Sequence, residues 1–135
     1  MALVIDASGL VVALLARSTD AVSLRRRLAV EVSHAPHLID AEVGNVLRRL
    51  TLRGELEPRA AEALLVGAGA LVDHRHAMTA GLARAAWDLR ENVTFYDGLY
   101  VALAGALRVP LLTADVRLSQ APGLGCRVEL AAGSM

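Results

Sequence analysis

Asp6, Glu42, Asp97 and Asp115 are carboxylates placed where the chain is expected to change direction. Asp6 ends the apolar run Leu3-Val4-Ile5, and Asp115 follows the run from Val109 to Thr113. Glu42 and Asp97 open helix-like stretches, Glu42 to Arg49 and Asp97 to Ala104. In a protein that alternates strands with helices, the carboxyl ends of the strands gather along one edge, where ligands bind. Two unit charges about 4 Å apart cost about 4 kcal/mol at an effective dielectric of about 20. Four such groups do not converge without protonation or a compensating cation. Three or four carboxylate oxygens with several waters match the preferences of Mg²⁺ or Mn²⁺. Such an ion binds a phosphate oxygen and acidifies bound water, so the natural reaction is hydrolysis of a phosphodiester. No residue stands out as a dedicated general base.

Each acid also has a bland explanation. Asp6 and Asp115 are good helix N-caps, and Glu42 suits a first turn through the helix dipole. Asp97 lies three residues after Thr94, the spacing of a capping box. Taken singly, these readings weigh as much as the chemical one. Taken jointly, two acids at strand ends and two in first helical turns point to one pocket. Asp20 and Glu57 read only as caps or solvated charges.

Polar neighbours extend the pattern. Ser8 and Thr113 lie two residues from Asp6 and Asp115, and i and i+2 share a face of a strand. Thr113 is therefore placed to hydrogen-bond a metal-holding carboxylate, as are Ser8 and, one turn after Glu42, Asn45. A cap or turn bond is an equal alternative for the hydroxyls. Arg49 follows Glu42 by two helical turns and is the best candidate for contact with RNA or an inhibitor. Arg48 and Arg53 are weaker candidates, and Arg25-Arg26-Arg27 reads as a solvated face. His74 and His76 have a zinc-like spacing, yet no Cys lies nearby, so they read as surface histidines. Trp87 fits helix packing better than base stacking. Gly67 and Gly69 lack a phosphate-loop setting and read as a helix end.

At 135 residues, the length suits one domain, 1–135. Hydrophobic residues make up 55% and aromatics only 3%, so the core is built from Ala, Leu and Val. No apolar run approaches the roughly 18 residues of a membrane span. No signal peptide is apparent, and the lone Cys126 forms no internal disulfide, which agrees with a reducing cytoplasm. The net charge is +0, against bulk-charge coating of nucleic acid but compatible with local Arg patches. All basic residues are Arg, which removes lysine chemistry such as Schiff-base formation.

The elements follow from periodicity and punctuation. Strands are expected at Leu3 to Ile5, Val32 to Ala35, Val109 to Thr113 and Cys126 to Leu130. Helices are expected at Ala7 to Ala16, Ala21 to Val30, from an Asp40 cap to Gly54, Pro58 to about Gly67, Met78 to Arg90, from a Thr94 cap through Leu107, and Asp115 to Ser119. The order predicts an α/β fold, with a mostly parallel sheet and helices on both faces. The stretch from Glu55 to Arg90 is expected to be a helical projection, and Gly133-Ser134-Met135 a loose tail.

At these positions the chain resembles the PIN-domain family, specifically the VapC-type ribonuclease toxins of bacterial toxin–antitoxin pairs. The resemblance rests on Val4-Ile5-Asp6-Ala7-Ser8, on Asp40 to Arg49, on Tyr96 to Ala104 and on Leu111 to Leu118. It implies a five-stranded, mostly parallel sheet in three α/β/α layers. It implies an endoribonuclease dependent on Mg²⁺ or Mn²⁺ that cleaves structured cellular RNA. The family's acidic quartet falls on Asp6, Glu42, Asp97 and Asp115, with Asp6 and Asp97 as main ligands, and its supporting hydroxyl on Thr113. Some relatives carry a further acid where this chain has Arg117, which favours one tightly held ion. The resemblance further implies a small VapB-type antitoxin, a homodimer and a larger toxin–antitoxin assembly, in the cytoplasm.

Other classes fit the residues less well. A phosphotransfer receiver needs a lysine that this chain lacks, and a haloacid-dehalogenase-type phosphatase needs an acid where Ser8 stands. A catalytically inactive PIN-like module that binds RNA or protein is the remaining alternative.

Overall fold

The computed structural model describes residues 1–131, so the expected tail at Gly133-Ser134-Met135 lies outside the described residues. Five strands run in the order β3-β2-β1-β4-β5: β1 (Ala2–Ile5), β2 (Val32–Pro36), β3 (His74–His76), β4 (Leu111–Thr113) and β5 (Val128–Leu130). Every pairing is parallel, so the sheet is wholly rather than mostly parallel. The chain builds outward from β1 to β2 and β3, then returns to the other side of β1 for β4 and β5. The order therefore reverses between β1 and β4, and a crevice at such a switch point is where ligands of α/β sheets sit.

Seven helices join the strands: α1 (Ala7–Leu15), α2 (Thr19–Val30), α3 (Leu38–Leu52), α4 (Pro58–Ala68), α5 (Ala80–Asp88), α6 (Phe95–Leu107) and α7 (Val116–Gln120). Successive residues of β1 point to opposite faces, and Leu3, Val4 and Ile5 are all 0% exposed. Both faces of the sheet are thus covered, which gives the three layers. The core is dominated by Ala, Leu and Val, with Tyr100 its largest fully buried side chain. A smaller cluster of Ala86, Leu99 and Ala102 joins α5 to α6, with Leu82, Phe95 and Leu38 against it. Gly98 makes that join possible, because a Cβ there would stand 3.0 Å from the Ala86 carbonyl oxygen. Gly54, with φ of +74°, follows the end of α3 as expected of a helix stop.

Four expectations are corrected. The stretch from Glu55 to Arg90 is not a projection: β3 lies within it and forms the sheet's edge, α4 packs on α3, and α5 packs on α6. Asp40 does not cap α3. That helix starts at Leu38 after His37, and the Asp40 carboxylate accepts two bonds from Arg75, at 2.6 and 2.8 Å. Trp87 is not packed inside; it is 59% exposed, and the Arg90 guanidinium lies 5.2 Å from its ring centre. Arg25 and Arg27 are not merely solvated: Arg25 donates to the Ala13 and Ala16 carbonyls, and Arg27 pairs with Glu31 and Glu129. Among the described residues, no single helix is long and apolar enough to cross a membrane.

Candidate active site

The four acids reach one pocket at the carboxyl edge of the sheet by four routes. Asp6 directly follows β1 and caps α1, and Asp115 follows the adjacent β4 and caps α7. Glu42 lies on α3 and Asp97 in the first turn of α6. The pocket is about 210 Å³, and Asp6, Ser8, Glu42, Asn45, Arg49, Asp97, Tyr100 and Asp115 are among the residues that line it. Capping and pocket-lining thus coexist in Asp6 and Asp115. At Asp97 the capping box is half-made: its amide donates to Thr94 Oγ1 at 3.1 Å, but its carboxylate returns no bond to the Thr94 amide among the described residues.

Asp6 is the most constrained of the four. It is 5% exposed. Its Oδ1 accepts from Ser8 Oγ at 2.7 Å and from the Gly9 amide at 2.8 Å, and its Oδ2 accepts from Thr113 Oγ1 at 2.5 Å. A carboxylate offers about four lone-pair sites, so one direction is left, on Oδ2. The two hydroxyls are fixed in turn, for Ser8 Oγ accepts from the Ala114 amide and Thr113 Oγ1 from the Asp115 amide. With both hydroxyl protons given to Asp6, the 3.2 Å Ser8–Thr113 approach has no proton to share. Thr113 therefore supports the acid across the strand pair rather than its near neighbour Asp115. It also ties β4 to β1 at the switch point.

Tyr100 is a site residue that the sequence reading missed. Buried on α6, it donates its hydroxyl to Glu42 Oε1 at 2.6 Å, joining α6 to α3. It follows Asp97 by three residues, so helical spacing alone puts it on the same face. Among the described residues, Glu42 Oε2 accepts no protein hydrogen bond, and neither does Oδ2 of Asp115, whose Oδ1 serves the Arg117 and Leu118 amides. Asn45 and Arg49 line the pocket as expected from their spacing on α3.

The electrostatics are those of crowded acids. Burial raises the Asp6 carboxyl above its usual value against the pull of Thr113, Gly9 and Ser8, and Asp97 adds to the rise. Burial likewise raises Glu42; the Tyr100 bond pulls it down, and Asp97 and Asp6 push it up. Burial and Asp115 raise Asp97, which Thr94 and Arg117 ease. Burial and the Glu42 contact raise the Tyr100 phenol, so it stays a donor. None of the four acids makes an ion pair among the described residues.

The donor set suits a hard divalent cation: it is all oxygen, negatively charged, partly dry and internally repelling. Among the described residues no three ionisable donors stand close enough to enclose an ion by themselves. That matches Mg²⁺, which keeps several of its waters and takes one or two carboxylates directly. The pocket has room for an ion and several such waters.

A wholly parallel sheet whose switch point carries a carboxylate pocket defines an α/β protein with an acidic site at the carboxyl edge of its strands. The chain belongs to the PIN-domain family, whose model matches residues 3–124. Ribonuclease VapC1 of Mycobacterium tuberculosis is 50% identical over 127 residues, which cover 94% of this chain and 96% of that one. Of solved structures, a chain of DNA-bound VapBC from Salmonella typhimurium has a TM-score of 0.72 at 14% identity, covering 98% of this chain and 99% of its own. VapC20 of M. tuberculosis, a sarcin–ricin-loop-cleaving toxin, has a TM-score of 0.65 at 18% identity, covering 93% and 98%. These two likenesses establish the fold alone.

Proposed function

We propose that this chain is a metal-dependent endoribonuclease acting in the cytoplasm as the toxin of a VapBC-type toxin–antitoxin pair. The observation that carries the chemistry is the convergence of Asp6, Glu42, Asp97 and Asp115 on one pocket with no ion pair to a cationic side chain among the described residues. The relatives' names support the substrate class: VapC1 is a ribonuclease, and VapC20 is a sarcin–ricin-loop-cleaving toxin. The VapBC assembly of the fold neighbour supports a small VapB-type antitoxin as partner, and a homodimer completes the reading.

In this reading Asp6 and Asp97 would be the principal ligands of Mg²⁺ or Mn²⁺, and Glu42 and Asp115 would complete the sphere directly or through water. When bound, the ion supplies an acidified water and neutralises charge on the phosphate. Asp6 presents its remaining Oδ2 direction in a fixed orientation, because Ser8, Thr113 and the Gly9 amide hold the rest of the carboxylate. Tyr100 fixes Glu42 and leaves Oε2 for a water. Arg49, at the pocket's edge, neutralises a substrate phosphate. The crowded acids repel a bare phosphodiester, and a bound cation would offset that repulsion where the substrate crosses them.

The test is cleavage of RNA by the purified chain. Mg²⁺ or Mn²⁺ is expected to support cutting, EDTA to stop it, and Asp97→Asn to lower it by at least about a hundredfold while leaving the fold intact. Equal cutting by the Asp97→Asn variant, or no cutting of any cellular RNA, sinks the proposal; the latter with intact RNA binding favours the inactive module.

A further inference from the structure

A second pocket, about 510 Å³, opens beside the first and shares Asp97 and Asp115 with it. Its other walls include Arg90, Thr94 and Arg117, so it runs along α7 and the loop before α6. Arg49 lines the first pocket and is not among the residues that line the second. Acids alone repel a polyanion, so a strand crossing them needs cations before and after the crossing. Arg49 stands on one side. On the other, two arginines face the second pocket, together with the acid Glu91.

The two differ in freedom. Arg90 is committed to Trp87: its guanidinium lies over the ring and donates to the Trp87 carbonyl at 3.1 Å. Arg117 is exposed and makes no ion pair or side-chain hydrogen bond among the described residues. Only its backbone amide is used, donating to Asp115 Oδ1 at 2.9 Å. That bond ties the root of the side chain to an acid of the site. A guanidinium so placed presents a fork of donors that matches a phosphate.

We infer that Arg117 is a substrate-binding residue that grips the phosphate next to the scissile one, so that the RNA strand runs from Arg49 across the acids into the second pocket. The inference rests on the ribonuclease reading and extends it to the path of the strand. It gives Arg117 a task opposite in charge to the further acid of some relatives: it holds the substrate directly.

The test separates binding from cutting. Binding of a short fluorescein-labelled single-stranded RNA is followed by anisotropy in EDTA, where cleavage does not interfere. Arg117→Gln is expected to weaken binding by about tenfold, the value of one charge-assisted contact. It is also expected to flatten the slope of log affinity against log salt by about 0.7, one phosphate on a single strand. Arg117→Lys keeps the slope. In the cleavage assay, Arg117→Gln raises KM on the same RNA. On a dinucleoside monophosphate, which has only the scissile phosphate, the loss in kcat/KM is much smaller. Unchanged affinity and slope in Arg117→Gln overturn the inference even if the chain cuts RNA. An equal loss of kcat/KM on the dinucleoside overturns it as well, because that marks a role at the acids themselves. Failure of the wild type to cut RNA at all strikes the ribonuclease reading, and the anisotropy still reports on Arg117.

Discussion

Two groups of acids in this molecule receive opposite treatment. Glu31, just past α2, and Glu129, on β5, are met by Arg27 and Arg127, and these guanidinium groups hold the Glu129 carboxyl below its usual value although burial opposes them. Asp6, Glu42 and Asp97 have no such partner, and all three are held above theirs. The residue types are the same and the degree of burial overlaps. The difference lies in whether the chain supplies the opposite charge. Where acids serve the fold, it does. At the switch point it withholds a cation and supplies Ser8, Thr113 and Tyr100 instead, which fix the carboxylates without neutralising them.

The contrast can be attacked from either side. The largest expected effect on stability falls on the paired group. Arg27→Ala leaves two partly buried carboxylates short of a partner and is expected to cost about 2 kcal/mol in urea unfolding, with RNA cutting per folded molecule unchanged. Its pH signature sharpens the point. Glu129 is depressed below 4.5, so its contribution is complete above that value and is lost as pH falls below it. The difference between wild type and Arg27→Ala is therefore expected to shrink in acid; a constant difference removes the ion pair from the account.

The unpaired group gives the opposite sign and a smaller effect. Asp97 is raised above 3.8, so its penalty is complete above the raised pKa and is relieved as pH falls toward 3.8. In EDTA near neutrality, Asp97→Asn is expected to melt higher than wild type, and the gain is expected to vanish in acid. A lower melting point at neutral pH shows that Asp97 is satisfied from within the chain. The smallest effect belongs to Tyr100→Phe. Loss of the donor that pulls Glu42 down moves the acid limb of the cleavage profile to higher pH, with a few-fold loss on that limb and recovery above it. An unmoved limb removes Glu42 from the reaction.

The frame was readable in the sequence because its signals are local. Asp6 ends an apolar run, Thr94 stands three residues before Asp97, and Gly54 ends a periodic helix, each within one turn of the feature it marks. All four acids were found this way, and they line one pocket. What escaped depends on partners far along the chain. His74-Arg75-His76 is too short and polar to look like a strand, and becomes one by pairing with His34 to Pro36. Asp40 has the look of a cap, but Arg75 claims it across 35 residues. Tyr100 is part of the core, and its hydroxyl matters because Glu42, 58 residues away, is brought to it. Trp87 fits helix packing by its sequence, but it is left largely exposed on α5.

One contact sets how finely the pocket can be adjusted from outside it. At Gly98, next in line after Asp97, α6 comes close to the backbone and the Cβ of Ala86 on α5. A methyl group there would oblige the Ala86 backbone to yield slightly, and the carboxylate one residue earlier would shift with the contact. The spacing of a distant helix pair therefore acts as the gauge for the acid pocket, and wear at that bearing surface would be felt as lost reactivity before it was felt as unfolding.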